Sequence, residues 1–371
     1  MENQLPHPSA FISRDDVNTI RKNAAEAERL GMLHPEQLNI IYREGWFKLL
    51  VPKQYTGKQI TLSDLVRLQE AISWADGSTG WVVTLCSGAG WFGGFIAVDL
   101  AQQIFSSPHV CLAGSGAVSG TAEVIDGSYL INGSWKYASG VHHATHITAN
   151  CAITKSGGPV LDEDGKPLVL SFVFDKKDVT PIPAWKYIGM VATGSDAFEI
   201  TNLKANKNCA FKIDPSAVVV DAPLYLYPFL QLAEATLAVN LSGIATHFID
   251  LCADVFNDRM NHPRLTPSQK IVLIEALALA NKEMENLRRL FFEAVDVSWN
   301  DIVQNNIVSC GNLGAVSTAS RKLAISAREI VDRLYPLCGL IAAGSDTEIN
   351  RAWRDLHTAS QHSLLTFAEG S

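Results

Sequence analysis

The sequence predicts a mainly helical α+β protein in which an N-terminal helical domain, a middle β-barrel-like domain and a C-terminal four-helix bundle follow one another. Helix start signals dominate before about residue 108, closely spaced turn dipeptides occur between about residues 109 and 220, and long apolar repeats at three- and four-residue spacing come afterwards. We therefore divide the 371 residues into domains 1–108, 109–222 and 223–371.

The N-terminal domain is predicted to be helical from about residue 13. Ser13 precedes two aspartates, and Ser63-Asp64 opens another apolar-periodic segment. Both patterns are typical of helix starts, because such side chains accept hydrogen bonds from the free N–H groups of the first turn. Prolines at positions 35 and 52 mark places where helices begin or end.

The middle domain is predicted to contain a β-meander. Residues 123–125 and 128–131 have the composition of strands, and Asp126-Gly127 and Asn132-Gly133 tolerate the positive φ angles of tight hairpins. Further strands are predicted at 168–174 and 197–200. The glycine-rich stretch 114–120 is predicted to be a turn, because a dinucleotide-binding loop would require a helix directly after it.

The C-terminal domain is predicted to be an antiparallel bundle. Apolar residues recur every three or four positions in four segments, whose repeats start at Leu237, Leu273, Leu323 and Trp353.

Composition excludes several function classes. A net charge of −8 and a pI near 5.7 argue against a nucleic-acid partner. We expect no membrane partner, because residues 1–8 lack the features of a signal peptide and no apolar run approaches the roughly 20 residues of a membrane span. Seven cysteines without a CxxC pair favour reduced thiols, so we expect a cytoplasmic protein.

His142, His143 and His146 form a compact cluster in the sequence. A metal site there would need further ligands, and neither a HExxH glutamate nor a third ligand is evident nearby. We therefore predict no metal and interpret these histidines as polar lining of a site or as hydrogen-bonded core residues.

Three segments resemble the acyl-CoA dehydrogenase superfamily. They are residues 133–140 (GSWKYASG), Asp258-Arg259 followed by Gln269, and residues 350–355 (NRAWRD). Residues 76–82, residues 143–145, and the closing helix 353–357 with His362 further resemble the monooxygenases of two-component systems that use reduced flavin. The resemblance covers nearly the whole chain and implies the same order of helices, β domain and helix bundle.

The resemblance also implies a site. Ser139 would hydrogen-bond flavin N5, His362 would act in proton transfer and Arg259 would reach a flavin phosphate, across a subunit interface if the chain is oligomeric. The cofactor, FAD or FMN, would be delivered as diffusible reduced flavin by a flavin reductase. Flavin contacts are expected from Leu112, Ser119, Trp135, Tyr137, Ala138, Ser139, Arg259 and Arg354. The substrate pocket is expected to include Trp91, His142, His143 and His146.

Two alternatives to the monooxygenase remain open on the sequence. An acyl-CoA dehydrogenase with bound FAD would need a carboxylate base, for which Asp346 or Glu234 is the candidate, and would pass electrons to an electron-transfer flavoprotein. The other is a non-catalytic homologue that acts as a binding module. In each case the resemblance implies a homo-oligomer, a dimer or a tetramer.

Overall fold

A computed structural model describes residues 5–261, 263 and 265–367. Residues 1–4, from which part of the expectation of no signal peptide derives, lie outside the described residues.

The N-terminal segment is helical, as predicted. Ser13 caps the first helix by accepting a hydrogen bond from the Asp16 N–H at 3.1 Å. The third helix begins slightly earlier than predicted, because Thr61 rather than Ser63 accepts from the first turn. The helices are α1 (Arg14–Leu30), α2 (Pro35–Arg43), α3 (Leu62–Ala75), α4 (Gly77–Gly90) and α5 (Val98–Phe105).

The middle segment forms one mixed sheet of eight strands in the described part of the chain. The strand order is β6-β7-β2-β1-β3-β5-β8, with β4 paired to β3, and only the β1–β3 pair is parallel. A parallel pair requires a crossover, so residues 136–145 cross between β2 and β3 and carry Ser139. The strands are β1 (Leu112–Ile125), β2 (Ser128–Trp135), β3 (His146–Lys155), β4 (Gly158–Pro159), β5 (Val169–Asp175), β6 (Thr180–Ile182), β7 (Ala197–Asn206) and β8 (Ala210–Phe211).

Two predicted turns are strand residues instead. The turn at Asp126-Gly127 is confirmed, with φ angles of 35° and 77°. Residues 114–120 lie within β1, which is bulged there, and Asn132-Gly133 lies within β2. A Cβ atom at Gly120 would lie 2.1 Å from the Trp135 ring. That glycine therefore makes room for a buried tryptophan rather than for a turn.

The C-terminal segment contains the four predicted helices, which are α7, α8, α9 and the shorter α11. Helix α11 ends at Ala359, so the predicted fourth repeat, which runs on to Phe367, is divided between α11 and the residues after it. Helices α3 and α4 pack against α7, and the buried apolar residues form one continuous core through all three segments. The helices are α6 (Pro223–Leu226), α7 (Phe229–Met260), α8 (Pro267–Asn305), α9 (Cys310–Cys338), α10 (Leu340–Ala343), α11 (Glu348–Ala359) and α12 (Ser363–Thr366).

Helix α7 is long and apolar enough to cross a membrane by length and composition alone. This differs from the expectation that no apolar run approaches the length of a membrane span. In the structure, 89% of its most apolar 18-residue window is buried within the protein. Packing in the core therefore accounts for its hydropathy.

Candidate active site

A cavity of about 250 Å³ lies where the three segments meet. One wall is the face of α4 that carries Thr84, Leu85 and Gly88, and the sheet contributes residues of β1, β3 and β5. The remaining wall comes from the start of α7 and from His362 and Leu364 at α12. The site is therefore assembled from residues far apart in the sequence.

The described lining of this cavity carries no Lys, Arg, Asp or Glu side chain. Its sheet wall is polar but internally satisfied: Ser171 Oγ donates to Asn150 Oδ1 at 2.7 Å, and Asn150 Nδ2 donates to the Gly116 carbonyl at 2.9 Å. The opposite wall is apolar, with Phe92 and Phe229 among its members. A ligand with an uncharged body would thus be matched by neutral surroundings.

His362 is the titratable side chain of this lining, and a hydrogen bond to its Nδ1 assigns its tautomer. The residue caps α12, where Nδ1 accepts a hydrogen bond from the Leu364 N–H at 3.4 Å. Burial lowers the pKa of His362, so the ring is neutral at neutral pH. Because Nδ1 accepts, the single ring proton resides on Nε2, and His362 offers an N–H donor.

Ser139 is linked to His362 through Trp81, which contacts both residues. Trp81 Nε1 donates to Ser139 Oγ at 3.1 Å, and the Trp81 ring centroid is 6.1 Å from that of His362. Ser139 is 5% exposed. The structure therefore brings together the two residues that the resemblance places in the chemistry.

The hydroxyl of Ser139 belongs to a short network with Ser195 and Thr193. Thr193 Oγ1 lies 2.6 Å from the Met190 carbonyl and 2.6 Å from Ser195 Oγ, and a Thr193 proton directed at the carbonyl leaves Ser195 to donate to Thr193 Oγ1. Ser139 Oγ then donates to Ser195 Oγ across 2.8 Å. A hydroxyl has one proton and two lone pairs. With one lone pair used by Trp81, Ser139 retains one acceptor position and no free donor.

An aromatic group lies next to Ser139 in the crossover. Tyr137 is 59% exposed and has a φ of 66°, a conformation that costs a non-glycine residue about 1 kcal/mol or more. Its hydroxyl is 3.3 Å from that of Tyr187, whose ring centroid is 4.4 Å from that of Trp185. The buried indole N–H of Trp185 has no hydrogen-bond partner among the described residues.

The four residues predicted for the substrate pocket do not line the cavity. His142 Nε2 is 2.8 Å from Asp196, His143 accepts from the Leu33 N–H at 3.2 Å, and His146 contacts Thr145 Oγ1 at 3.0 Å. Trp91 is buried behind the wall, where its Nε1 donates to the Leu224 carbonyl. Each of the three histidines thus has a polar partner within the protein, and His142 is exposed rather than in the core.

The residues predicted to contact the flavin do not lie together in the structure. Leu112, Trp135 and Ala138 are buried in the core, and Ser119 is exposed on β1. Arg259 donates to the Leu337 carbonyl at the far end of α7, and Arg354 pairs with Glu28. Neither arginine lines the cavity, because each guanidinium is already bound to another element of the chain.

Both candidate bases are displaced from the cavity. Asp346 is exposed in the turn before α11. Glu234 is buried on α7, but its carboxylate is bound by Ser317 and Arg321. Neither carboxylate lines the cavity, so neither candidate is placed to act there as the base that a dehydrogenase needs.

The burial of His143 should make the stability of the folded protein sensitive to acid. Burial lowers its pKa from 6.5 to about 4, and Leu33 donates to its unprotonated Nε2. The unfolded chain takes up this proton near pH 6.5 and the folded chain only near pH 4, so stability is lost as pH falls through that window. His143→Asn lacks this titration. Its free energy of unfolding should therefore fall by about 2 to 3 kcal/mol less than that of the wild type when the pH is lowered. Urea denaturation of both proteins at pH 7 and at about pH 4.5 measures it, and equal pH dependence would contradict it.

Several residues of the site were not predicted from the sequence. Thr84 and Ser195 carry no motif, and Trp81 appears only within the segment 76–82 that carries the resemblance. The helical period of α4 places residues 81, 84, 85 and 88 on one face, which is a signal for a shared surface. Nothing in the sequence indicates that this surface borders a cavity.

Comparisons with known proteins agree with this architecture. Residues 235–367 match the family model "Acyl-CoA dehydrogenase, C-terminal domain". The chain is 24% identical to the flavin-dependent monooxygenase oxygenase subunit HsaA of Rhodococcus jostii, covering 93% of this chain and 91% of that protein. It is 23% identical to indole-3-acetate monooxygenase of Pseudomonas putida, covering 96% of this chain and 90% of that protein.

A solved structure of XiaF from Streptomyces sp. in complex with FADH2 and glycerol superposes with a TM-score of 0.85 at 19% identity, covering 95% of this chain and 89% of that one. At this identity the likeness shows a common fold. Together these findings confirm the predicted fold class and the resemblance to flavin monooxygenases of the acyl-CoA dehydrogenase superfamily.

Proposed function

We propose that this chain, which has the acyl-CoA dehydrogenase fold and whose residues 235–367 match that family's C-terminal domain, is the oxygenase component of a flavin-dependent monooxygenase. It would use reduced flavin, FAD or FMN, from a separate reductase to oxygenate a small aromatic substrate. The observation that carries the proposal is the contact of Ser139 with Trp81 and of Trp81 with His362, which lines a neutral cavity. The names of the relatives support it, since they are flavin-dependent monooxygenases.

The residues beside Ser139 fit a flavin. The free indole N–H of Trp185 is a donor suited to a ring carbonyl, and Tyr137 and Tyr187 offer exposed aromatic surface. Ser139 keeps one acceptor position, which matches the N5–H group of a reduced flavin and not the bare N5 of an oxidised one. The hydroxyl network thus favours the reduced cofactor.

The protein's part in the chemistry follows from these groups. When bound, reduced flavin would supply the two electrons with which O2 gives one oxygen atom to the substrate and one to water. Ser139 would hold N5–H, the apolar wall at Phe92 and Phe229 would exclude water, and His362 would donate its Nε2–H to a substrate or oxygen acceptor.

The lining also restricts the substrate. An unpaired carboxylate buried among neutral side chains would lose its hydration without a counter-charge, at a cost of several kcal/mol. The cavity volume of about 250 Å³ lies below the range of roughly 300 to 1,000 Å³ common for drug-sized ligands. We propose a compact, uncharged aromatic substrate such as a phenol or an indole.

The dehydrogenase alternative lacks support from the site, since neither Asp346 nor Glu234 lines the cavity. We further propose a cytoplasmic homo-oligomer. On α8, the apolar residues Val272, Leu279, Leu290 and Val297 follow one another at intervals of 7, 11 and 7 residues and are 39–53% exposed, which gives one helix face an apolar stripe suited to a second copy.

The proposal predicts that Ser139→Ala weakens binding of reduced flavin by about tenfold and binding of oxidised flavin by much less, because the lost group is an acceptor. Ser195→Ala should have the opposite bias, since Ser139 would regain a free proton to donate to oxidised N5. Anaerobic fluorescence titration measures both affinities.

The same proteins should then be mixed with oxygen and a phenol or indole, while hydroxylated product and hydrogen peroxide are quantified. Wild-type protein should couple flavin oxidation to product, and Ser139→Ala should release mainly peroxide. Reoxidation of the flavin at its rate in buffer, without product, would refute the proposed oxygenase function. The non-catalytic binding module would then be the remaining alternative.

A further inference from the structure

Helix α4 contains four glycines, and three of them have a packing reason. A Cβ atom would lie 2.1 Å from Ser73 Oγ at Gly80, 2.9 Å from Val51 Cγ2 at Gly90 and 3.1 Å from Asp355 Oδ2 at Gly77. These positions allow the helix to approach its neighbours closely. At Gly88 a Cβ atom would meet no heavy atom within 4 Å.

Gly88 is also distinguished by its surroundings. Of the 14 residues of α4, 12 are buried, whereas Gly88 and Leu85 are only partly buried. Both line the cavity. A side chain at position 88 would therefore start from a cavity wall and enter open space.

A glycine within a helix carries a cost in backbone entropy relative to alanine. Gly88 has an ordinary helical conformation, without a positive φ, so backbone geometry does not require glycine. Neither packing nor backbone conformation explains why position 88 is a glycine. The open volume next to it provides an explanation.

We propose that Gly88 is a specificity-determining residue, whose missing side chain leaves room for the ring system of the substrate. The proposal rests on the proposed function, in that the cavity is taken to hold the uncharged aromatic substrate. Replacing Gly88 narrows the accepted substrates from two-ring to one-ring compounds without weakening the fold.

The experiment compares wild type, Gly88→Ala, Gly88→Val and the control Gly314→Ala. Gly314 is an exposed glycine in α9 at which a Cβ atom also meets nothing within 4 Å. Both alanine variants should raise Tm slightly. Calorimetric titration with phenol, indole and 2-naphthol, without flavin, then measures the dissociation constants.

Gly88→Val should weaken binding of 2-naphthol and indole by about tenfold or more and that of phenol much less, with Gly88→Ala intermediate, because each added methyl group removes volume from the cavity. Gly314→Ala should bind all three probes like wild type. Equal losses for all probes, unchanged binding in Gly88→Val, or no binding of any probe to wild type would overturn the proposal.

Binding of reduced flavin is measured on the same variants. Unchanged flavin affinity supports a substrate role for the space, whereas loss of flavin with Gly88→Val assigns the space to the cofactor and overturns the proposal. The titrations need no turnover. Size-selective binding without oxygenation would therefore reject the proposed function while leaving the role of Gly88 intact.

Discussion

His362→Ala should lower kcat/KM for the aromatic substrate by about a hundredfold or more, within the range found when one positioned hydrogen-bond donor is removed. The lost group is the Nε2–H donor that the N-cap contact of Nδ1 fixes in place. His362 borders the cavity and its ring lies beside Trp81, which in turn donates to Ser139. Steady-state kinetics with a reductase supplying reduced flavin measures the effect.

Two further variants separate chemistry from structure. His362→Asn retains an N-cap side chain for α12, so it should keep the wild-type Tm and still lose activity. His357→Ala should keep activity, because His357 is paired with Asp332 away from the cavity. Protonation of Nδ1 would break the cap contact that positions His362, and burial lowers the pKa of His362. An acidic limb of kcat/KM should therefore lie below the ordinary pKa of 6.5, and it should vanish in His362→Asn. An active His362→Asn with an unchanged pH profile would contradict the role.

Glu70→Gln should reduce the free energy of unfolding by about 3 to 5 kcal/mol, as expected when a buried ion pair loses one partner. Arg288 donates to both carboxylate oxygens of Glu70 at 2.7 Å, and Ser242 donates to one of them at 2.5 Å. The relative exposures of Glu70 and Arg288 are 0% and 5%. The variant leaves the guanidinium buried without a counter-charge where α3, α7 and α8 meet. Urea denaturation monitored by circular dichroism measures the loss.

The neighbouring residue on α8 provides the control. Arg289 is exposed and pairs with Glu293, so Arg289→Ala should cost less than about 1 kcal/mol. The double variant Glu70→Leu/Arg288→Met should recover most of the loss, because it removes both buried charges. If Glu70→Gln and Arg289→Ala reduced the free energy of unfolding by similar amounts, the buried ion pair would contribute no more to stability than an exposed one.

The order of helices, sheet and bundle was determined by the sequence alone. Apolar repeats, caps such as Ser13 and the Asp126-Gly127 turn are local features, and each acts through neighbours a few residues away. Predictions from local sequence were wrong where contact with another part of the sheet determines the backbone structure. Gly120 and Gly133 have turn-like neighbours, yet the ring of Trp135 requires them inside strands.

Some features of the candidate site could likewise be predicted from the sequence, and others could not. Ser139 and His362 could be selected from the sequence because their segments resemble flavin monooxygenases, and the structure brings them together through Trp81. Their hydrogen-bonding roles, the exclusion of Asp346 and Glu234, and the open space at Gly88 depend on atoms from all three segments. A donor, a charge or a volume is defined by what surrounds it, and only tertiary packing supplies those surroundings.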